Sequence, residues 1–90
     1  MERKIESVDY SRIFLRKMSR LARRVVGEAE QKEALFRENA FHPRLHTHKL
    51  HGKDKNAWAF WINDKYRIKF VFLDTHRVLF LDVGTHDIYS

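Results

Sequence analysis

Between Tyr10 and Asn39 the apolar residues recur at every third or fourth position. Phe14, Met18, Leu21 and Val25 form one series; Val26, Ala29, Glu33 and Phe36 continue in a second phase, with Ala22 and Leu35 beside it. Such spacings place side chains on one face of a helix. Two helices, about 9–20 and 22–38, account for both phases better than one continuous rod, with Asp9 or Ser7 as the first cap. Asn39 suits a C-terminal cap, and Pro43 opposes continuation. Ahead of the helices, residues 3–8 predict a short first strand anchored by Ile5 and Val8. Beyond Pro43 the period falls to two, which predicts strands over 45–50, 58–62, 66–73 and 78–83, with turns at Asn63-Asp64 and Thr75-His76. The expected fold is α+β: two N-terminal helices packed on one face of a twisted three- to four-stranded antiparallel sheet. No repeat, linker or low-complexity tract interrupts it, so 1–90 reads as a single domain.

The turns imply a register. With Thr75-His76 as a two-residue turn, Phe72 opposes Leu79, Phe70 opposes Leu81 and Ile68 opposes Val83. Opposed residues share a face, so these six predict the face under the helices. The other face then carries Arg67, Lys69, Val71 and Leu73 opposite Gly84, Asp82, Phe80 and Val78, with His86 continuing on the side of Arg67. With Asn63-Asp64 as a second two-residue turn, Phe60 opposes Arg67 and Trp58 opposes Lys69. Cations mixed with large rings suit nucleic acid, the cations for phosphate and the rings for stacking on unpaired bases. The alternative is a second small core covered by a loop, the C-terminal tail or a partner.

Composition sharpens this picture. Aromatic residues make up 13% of the chain, which argues against general disorder. There is no Cys, which excludes a disulfide scaffold, a Cys-based zinc site and a thiol nucleophile, and fits a reducing compartment. No apolar run approaches the ~20 residues that span a membrane. Met1–Glu6 has no apolar stretch after its charges and does not read as a signal peptide, so a cytoplasmic location is expected. The net charge of +6 suggests an anionic partner. From Tyr10 to Gly27 stand Arg12, Arg16, Lys17, Arg20, Arg23 and Arg24 with no acid. This run is either a solvated helix face or a landing site for phosphates or an acidic protein segment. Glu28, Glu30, Glu33 and Glu38 on the second helix are placed to neutralise part of it across a helical hairpin.

Six histidines are present, and four of them, His42, His46, His48 and His51, fall close together. His46 and His48 would share a face of a strand and form a ligand pair. Against a metal site stand the lack of Cys and the single nearby carboxylate, Asp54, because spacing alone does not close a coordination shell. Surface histidines and acid–base chemistry remain the other readings, since imidazole is the usual proton carrier near neutral pH.

Four stretches of the second half carry a resemblance. They are Phe41-His42-Pro43-Arg44-Leu45, Lys49-Leu50-His51-Gly52, Ile62-Asn63-Asp64-Lys65-Tyr66-Arg67-Ile68, and the ending Leu81-Asp82-Val83-Gly84-Thr85-His86-Asp87-Ile88-Tyr89. Together they resemble the RelE/ParE superfamily of toxins from bacterial toxin–antitoxin pairs, over about 41–89. Gly84-Thr85-His86 is similar to the YafQ-like branch. The helical half matches in layout and charge only.

The resemblance implies a toxin of a type II pair. RelE-like members cut messenger RNA on the ribosome without a metal or other cofactor, so the implied partners are ribosome and mRNA. A cognate antitoxin holds the toxin inactive, and operator DNA is met only through it. ParE-like members instead inhibit DNA gyrase by protein binding, which is the alternative; a fold that has lost activity and only binds its partner is a third. Arg67 matches the arginine placed against the scissile phosphate. His86 matches the YafQ-like catalytic histidine, and His48 a second histidine of that branch. The implied catalytic set is His86, Arg67 and His48, with His51 in reserve. Lys49, Lys69, Trp58, Phe60, Tyr89, Arg12, Arg16 and Arg20 are the expected RNA contacts, read from the register, the basic run and the resemblance together. Two departures stand out. Trp58 and Phe60 occupy positions where RelE carries lysines, with Lys69 as the compensating cation, and the chain stops at Ser90, before a further C-terminal aromatic.

Overall fold

A computed structural model of the chain describes residues 1–52 and 56–89. The elements run β1 (Ser7–Tyr10), α1 (Arg12–Met18), α2 (Arg23–Glu38), a 3-10 turn (Pro43–Leu45), β2 (His48–Lys49), β3 (Ala57–Trp61), β4 (Arg67–Asp74), β5 (Arg77–Gly84) and a closing 3-10 turn (His86–Tyr89). The sheet has five strands in the order β1-β5-β4-β3-β2, one more than expected. β1 lies parallel to β5, and the other pairings are antiparallel.

The helices form where the apolar spacing placed them, with the first one shorter. Its cap is Ser11, not Asp9 or Ser7: Ser11 Oγ accepts from Phe14 N at 3.0 Å and donates to the Leu81 carbonyl at 2.7 Å. Asn39 ends α2 as expected, and its Oδ1 accepts from the backbone N–H of Arg3 and Phe41. Phe14, Val25, Ala29 and Phe36 are the buried helical residues. Phe36 sits at the centre of the core, its ring centroid 4.7 Å from Phe60, 4.9 Å from Phe70 and 5.6 Å from Phe80. The acids of α2 do not neutralise α1 across a hairpin. Glu28 pairs with Arg24 and Glu33 with Arg37, each one helical turn away, and among the described residues none bridges to α1.

Both hairpins depart from the expected register. In the first, Trp61 opposes Arg67, Phe60 opposes Ile68, Ala59 opposes Lys69 and Trp58 opposes Phe70. Asn63 is the cause. Its Oδ1 accepts from Lys65 N at 2.9 Å and Tyr66 N at 2.7 Å, and Ile62 N donates to the Tyr66 carbonyl. The loop therefore holds three residues rather than two, and the slip turns every β3 side chain to the other face. Phe60 and Ile62 become fully buried under the helices and Trp58 packs beside them. Trp58 and Phe60 thus do not share a face with Arg67 and Lys69, and their expected role as RNA-stacking rings is withdrawn.

In the second hairpin Arg67↔Gly84, Ile68↔Val83 and Lys69↔Asp82 stand as expected, but Phe70 opposes Phe80 and Phe72 opposes Val78. An extra residue in β5, Leu81, and another in β4, Leu73, form two bulges that cancel over the length of the ladder. Between them Phe80 and Val78 turn into the core in place of Leu79 and Leu81. The Leu81 carbonyl, freed from the ladder, is the acceptor of the α1 cap.

Candidate functional site

The face of the sheet turned away from α2 carries the candidate site. Its central row reads His48, Ala59, Lys69, Asp82 across β2, β3, β4 and β5. The next row reads Trp61, Arg67, Gly84. Ala57 and Ala59 are small and leave room, and with Leu50 they form a second buried cluster against which Val71 and Tyr89 pack. The C-terminal 3-10 turn thus folds back over this face. Its Ile88 is buried beside Gly84, the one residue type that admits it: a methyl carbon at Gly84 would lie 2.7 Å from Ile88 Cγ2.

This fold-back brings together two of the expected histidines. The Tyr89 ring lies 5.7 Å from that of His48 and 5.6 Å from that of His86, edge-on to both. His48 Nδ1 lies 2.8 Å from the His46 carbonyl. A carbonyl only accepts, so Nδ1 is the donor, and in the neutral ring Nε2 is the nitrogen with the lone pair. The neighbouring His42 has the other arrangement, its Nδ1 accepting from Arg44 N at 3.1 Å. At the β5 end of the row Lys17 Nζ meets Asp82 Oδ1 at 2.8 Å, which ties the basic side of α1 to this face. Arg12, Arg16 and Arg20 are exposed, and no ion pair holds them among the described residues.

Other expected residues lie elsewhere. Lys49 opposes Trp58 and so turns away from the His48 face. His51 is exposed, in a shallow pocket with Lys49, Leu50 and Gly52, and no ring contact joins it to Tyr89. Asp54 lies outside the described residues. Among those described, no three His, Cys, Asp or Glu side chains gather as a metal would require, and no helix is long and apolar enough to cross a membrane.

Arg67 is on the expected face but is only 4% exposed. Its Nη1 donates to the carbonyls of Asn63 (2.6 Å) and Tyr66 (3.1 Å), its Nη2 to that of Asp64 (3.2 Å), and its Nε is buried with no partner. The guanidinium carbon stacks 4.0 Å from the centroid of Trp61. On the far side of β3 the His46 ring stacks on the same indole at 4.0 Å and 30°. Sequence reasoning missed Trp61 as a member of this face and gave His46 no role beyond a ligand pair with His48, which it argued against. The available signal was the alternation of bulk: Trp58, Phe60 and Ile62 outweigh Ala57 and Ala59 and claim the core side.

No protein-family model matches the sequence, and no curated protein matches it. Solved structures do. A YoeB/ParE toxin from Agrobacterium tumefaciens superposes with a TM-score of 0.75 at 13% identity, covering 89% of this chain and 98% of that one. YafQ from E. coli gives 0.72 at 17%, covering 90% and 93%. The RelBE2 toxin–antitoxin complex from Mycobacterium tuberculosis gives 0.76 at 14%, covering 92% and 93%. With two helices on a mostly antiparallel sheet, this chain has the fold of the RelE/ParE-like toxins.

Proposed function

We propose that this protein is the toxin of a type II toxin–antitoxin pair, and that it cuts messenger RNA on the ribosome by using the RNA's own 2′-hydroxyl. The observation that carries the reading is the His48–Tyr89–His86 group, with the His48 tautomer set by the His46 carbonyl. His48 Nε2 takes the 2′ proton and the 2′ oxygen attacks phosphorus. The bond to the 5′ oxygen breaks, and His86 gives that oxygen its proton. The products are a 2′,3′-cyclic phosphate and a 5′-hydroxyl end. Each proton transfer is typically worth about 10²–10⁴-fold in rate.

Lys69, in the row with His48, lends positive charge to the phosphate oxygens as negative charge builds there. Tyr89 separates the two imidazoles and offers a ring for stacking. Arg67, implied by the resemblance to touch the phosphate, acts in this reading through Trp61 and the β3–β4 loop as a positioning residue, because its side chain is buried and both of its terminal nitrogens already donate to loop carbonyls. Arg12, Arg16 and Arg20 supply an RNA- or antitoxin-facing charge, and binding through phosphates falls steeply with salt. One of the similar structures is a toxin–antitoxin complex, which supports an antitoxin as partner here.

The test is expression of the wild type and of His86→Ala from a tight promoter, with 5′ ends mapped on a translated message. Growth arrest with in-frame cuts, both lost in the variant, is expected. Arrest without cuts, equal in both proteins, would replace the nuclease by a ParE-like action on gyrase.

A further inference from the structure

Three rings or planes stack in sequence across the sheet: the Arg67 guanidinium, the Trp61 indole and the His46 imidazole, with 4.0 Å at each step. The inner member is buried and held by three carbonyls, so it cannot swing away. The middle member is half-buried between its neighbours. The outer member is exposed, and its ring nitrogens make no hydrogen bond among the described residues. His46 also sits in the left-handed region at φ 51°, the only non-glycine residue among those described to do so. Non-glycine residues rarely adopt that conformation, and histidine, asparagine and aspartate enter it several-fold more often than the others. Here the imidazole is stacked on Trp61 with the planes 30° apart, and the residue is exposed to solvent.

We propose that His46 is the outer plate of a base-stacking subsite, which takes one unpaired nucleobase of the RNA. This rests on the nuclease reading above. A flat ring backed by an indole and a fixed cation suits the π-face of a base, and stacking of this kind tolerates any base. The subsite is joined to the chemistry through one residue: the His46 carbonyl accepts from His48 Nδ1. A base seated on His46 places the adjoining backbone along the row of His48 and Lys69. His46 is therefore a binding residue, and its ring takes no part in proton transfer.

The test uses ribosomes programmed with a short message, with cutting followed over a range of message concentrations. His46→Asn keeps the left-handed backbone and removes the plate, whereas His46→Phe keeps the plate. His46→Asn should raise KM by about five- to 150-fold, the range for one lost base stack, with kcat and its pH profile unchanged. His46→Phe has a ring but enters the left-handed region less readily than His or Asn, so its KM should lie between those of the wild type and His46→Asn. An abasic nucleotide at the stacked position should cost the wild type a similar factor and cost His46→Asn nothing further. Thermal melting confirms that the variants fold. A wild type that cuts, with KM unmoved by His46→Asn or with no abasic position that weakens it, would overturn the subsite and leave the nuclease standing. A fall in kcat alone would also overturn it, since that points to the His48 link. A wild type that does not cut would overturn the nuclease reading and the subsite with it.

Discussion

Gly84→Ala tests how the proposed catalytic groups are held. Gly84 opposes Arg67 at the end of β5, and its φ lies outside the left-handed region, so alanine meets no backbone strain there. The obstacle is steric. The new methyl carbon would sit 2.7 Å from Ile88 Cγ2, whereas carbon atoms rest at about 3.5–4.0 Å. Relief therefore needs a retreat of about 1 Å by Ile88. Cγ2 hangs on a branched Cβ, and a β-branched side chain has little freedom at χ1. Ile88 is 4% exposed, so the easier movement is a shift of the whole 86–89 turn outward. That turn carries His86 and Tyr89. A misplacement of about 1 Å can cost on the order of 100-fold in rate. Overpacking costs about 1–3 kcal/mol, and the low end applies because the turn lies at the edge of the fold. The assays are the cutting rate on programmed ribosomes and a urea melt. Gly84→Ala combined with Ile88→Ala removes the clashing carbon and should recover part of the lost rate. Wild-type cutting and melting in the single variant would refute this account of how the turn is held.

Other consequences are as direct. Phe36→Ala removes the ring at the centre of four and should destabilise by about 3–5 kcal/mol in a urea titration. Ser11→Ala removes both the α1 cap and the partner of the Leu81 bulge carbonyl, and should cost about 1–2 kcal/mol by the same measurement. Tyr10, desolvated and hydrogen-bonded to Glu33, has its phenol pKa raised above the usual 10.0. The folded state thus holds this proton more tightly. Its contribution is intact below pH 10 and is lost as pH climbs through the raised value. Melting temperature should fall less steeply above pH 10 in Tyr10→Phe than in the wild type, and parallel slopes would contradict this. His48→Ala should lower cutting by about 10²–10⁴-fold with little change in melting, and an active variant would remove His48 from the mechanism.

The helices, four of the five strands and the ends of the β4–β5 ladder were legible because each rests on a local period. Phe14, Val25, Ala29 and Phe36 fall on the predicted face whatever else the chain does. Gly84-Thr85-His86 also stood out as a motif, and it does close over the site. The three-residue loop at Asn63 was not legible. Two-residue and three-residue loops are both good local chemistry there, and only the demand that Trp58, Phe60 and Ile62 meet the helices decides between them. The paired bulges at Leu73 and Leu81 were hidden for a related reason. Leu79, Phe80 and Leu81 are all apolar, so either register buries comparable side chains. The choice went to Phe80, whose ring meets Phe14, Phe36 and Phe60.

Local spacing and residue type therefore determined which segments are helix and strand, to within a few residues at their ends, and which side chains are candidates for chemistry. Tertiary structure decided which of those side chains meet. A slip of one residue turns a whole strand over, and the energy separating the two registers lies in contacts with helices far away in sequence. That is why Trp61 rather than Phe60 stands beside Arg67, why Arg67 is buried against loop carbonyls, and why His48 and His86 come to flank one tyrosine.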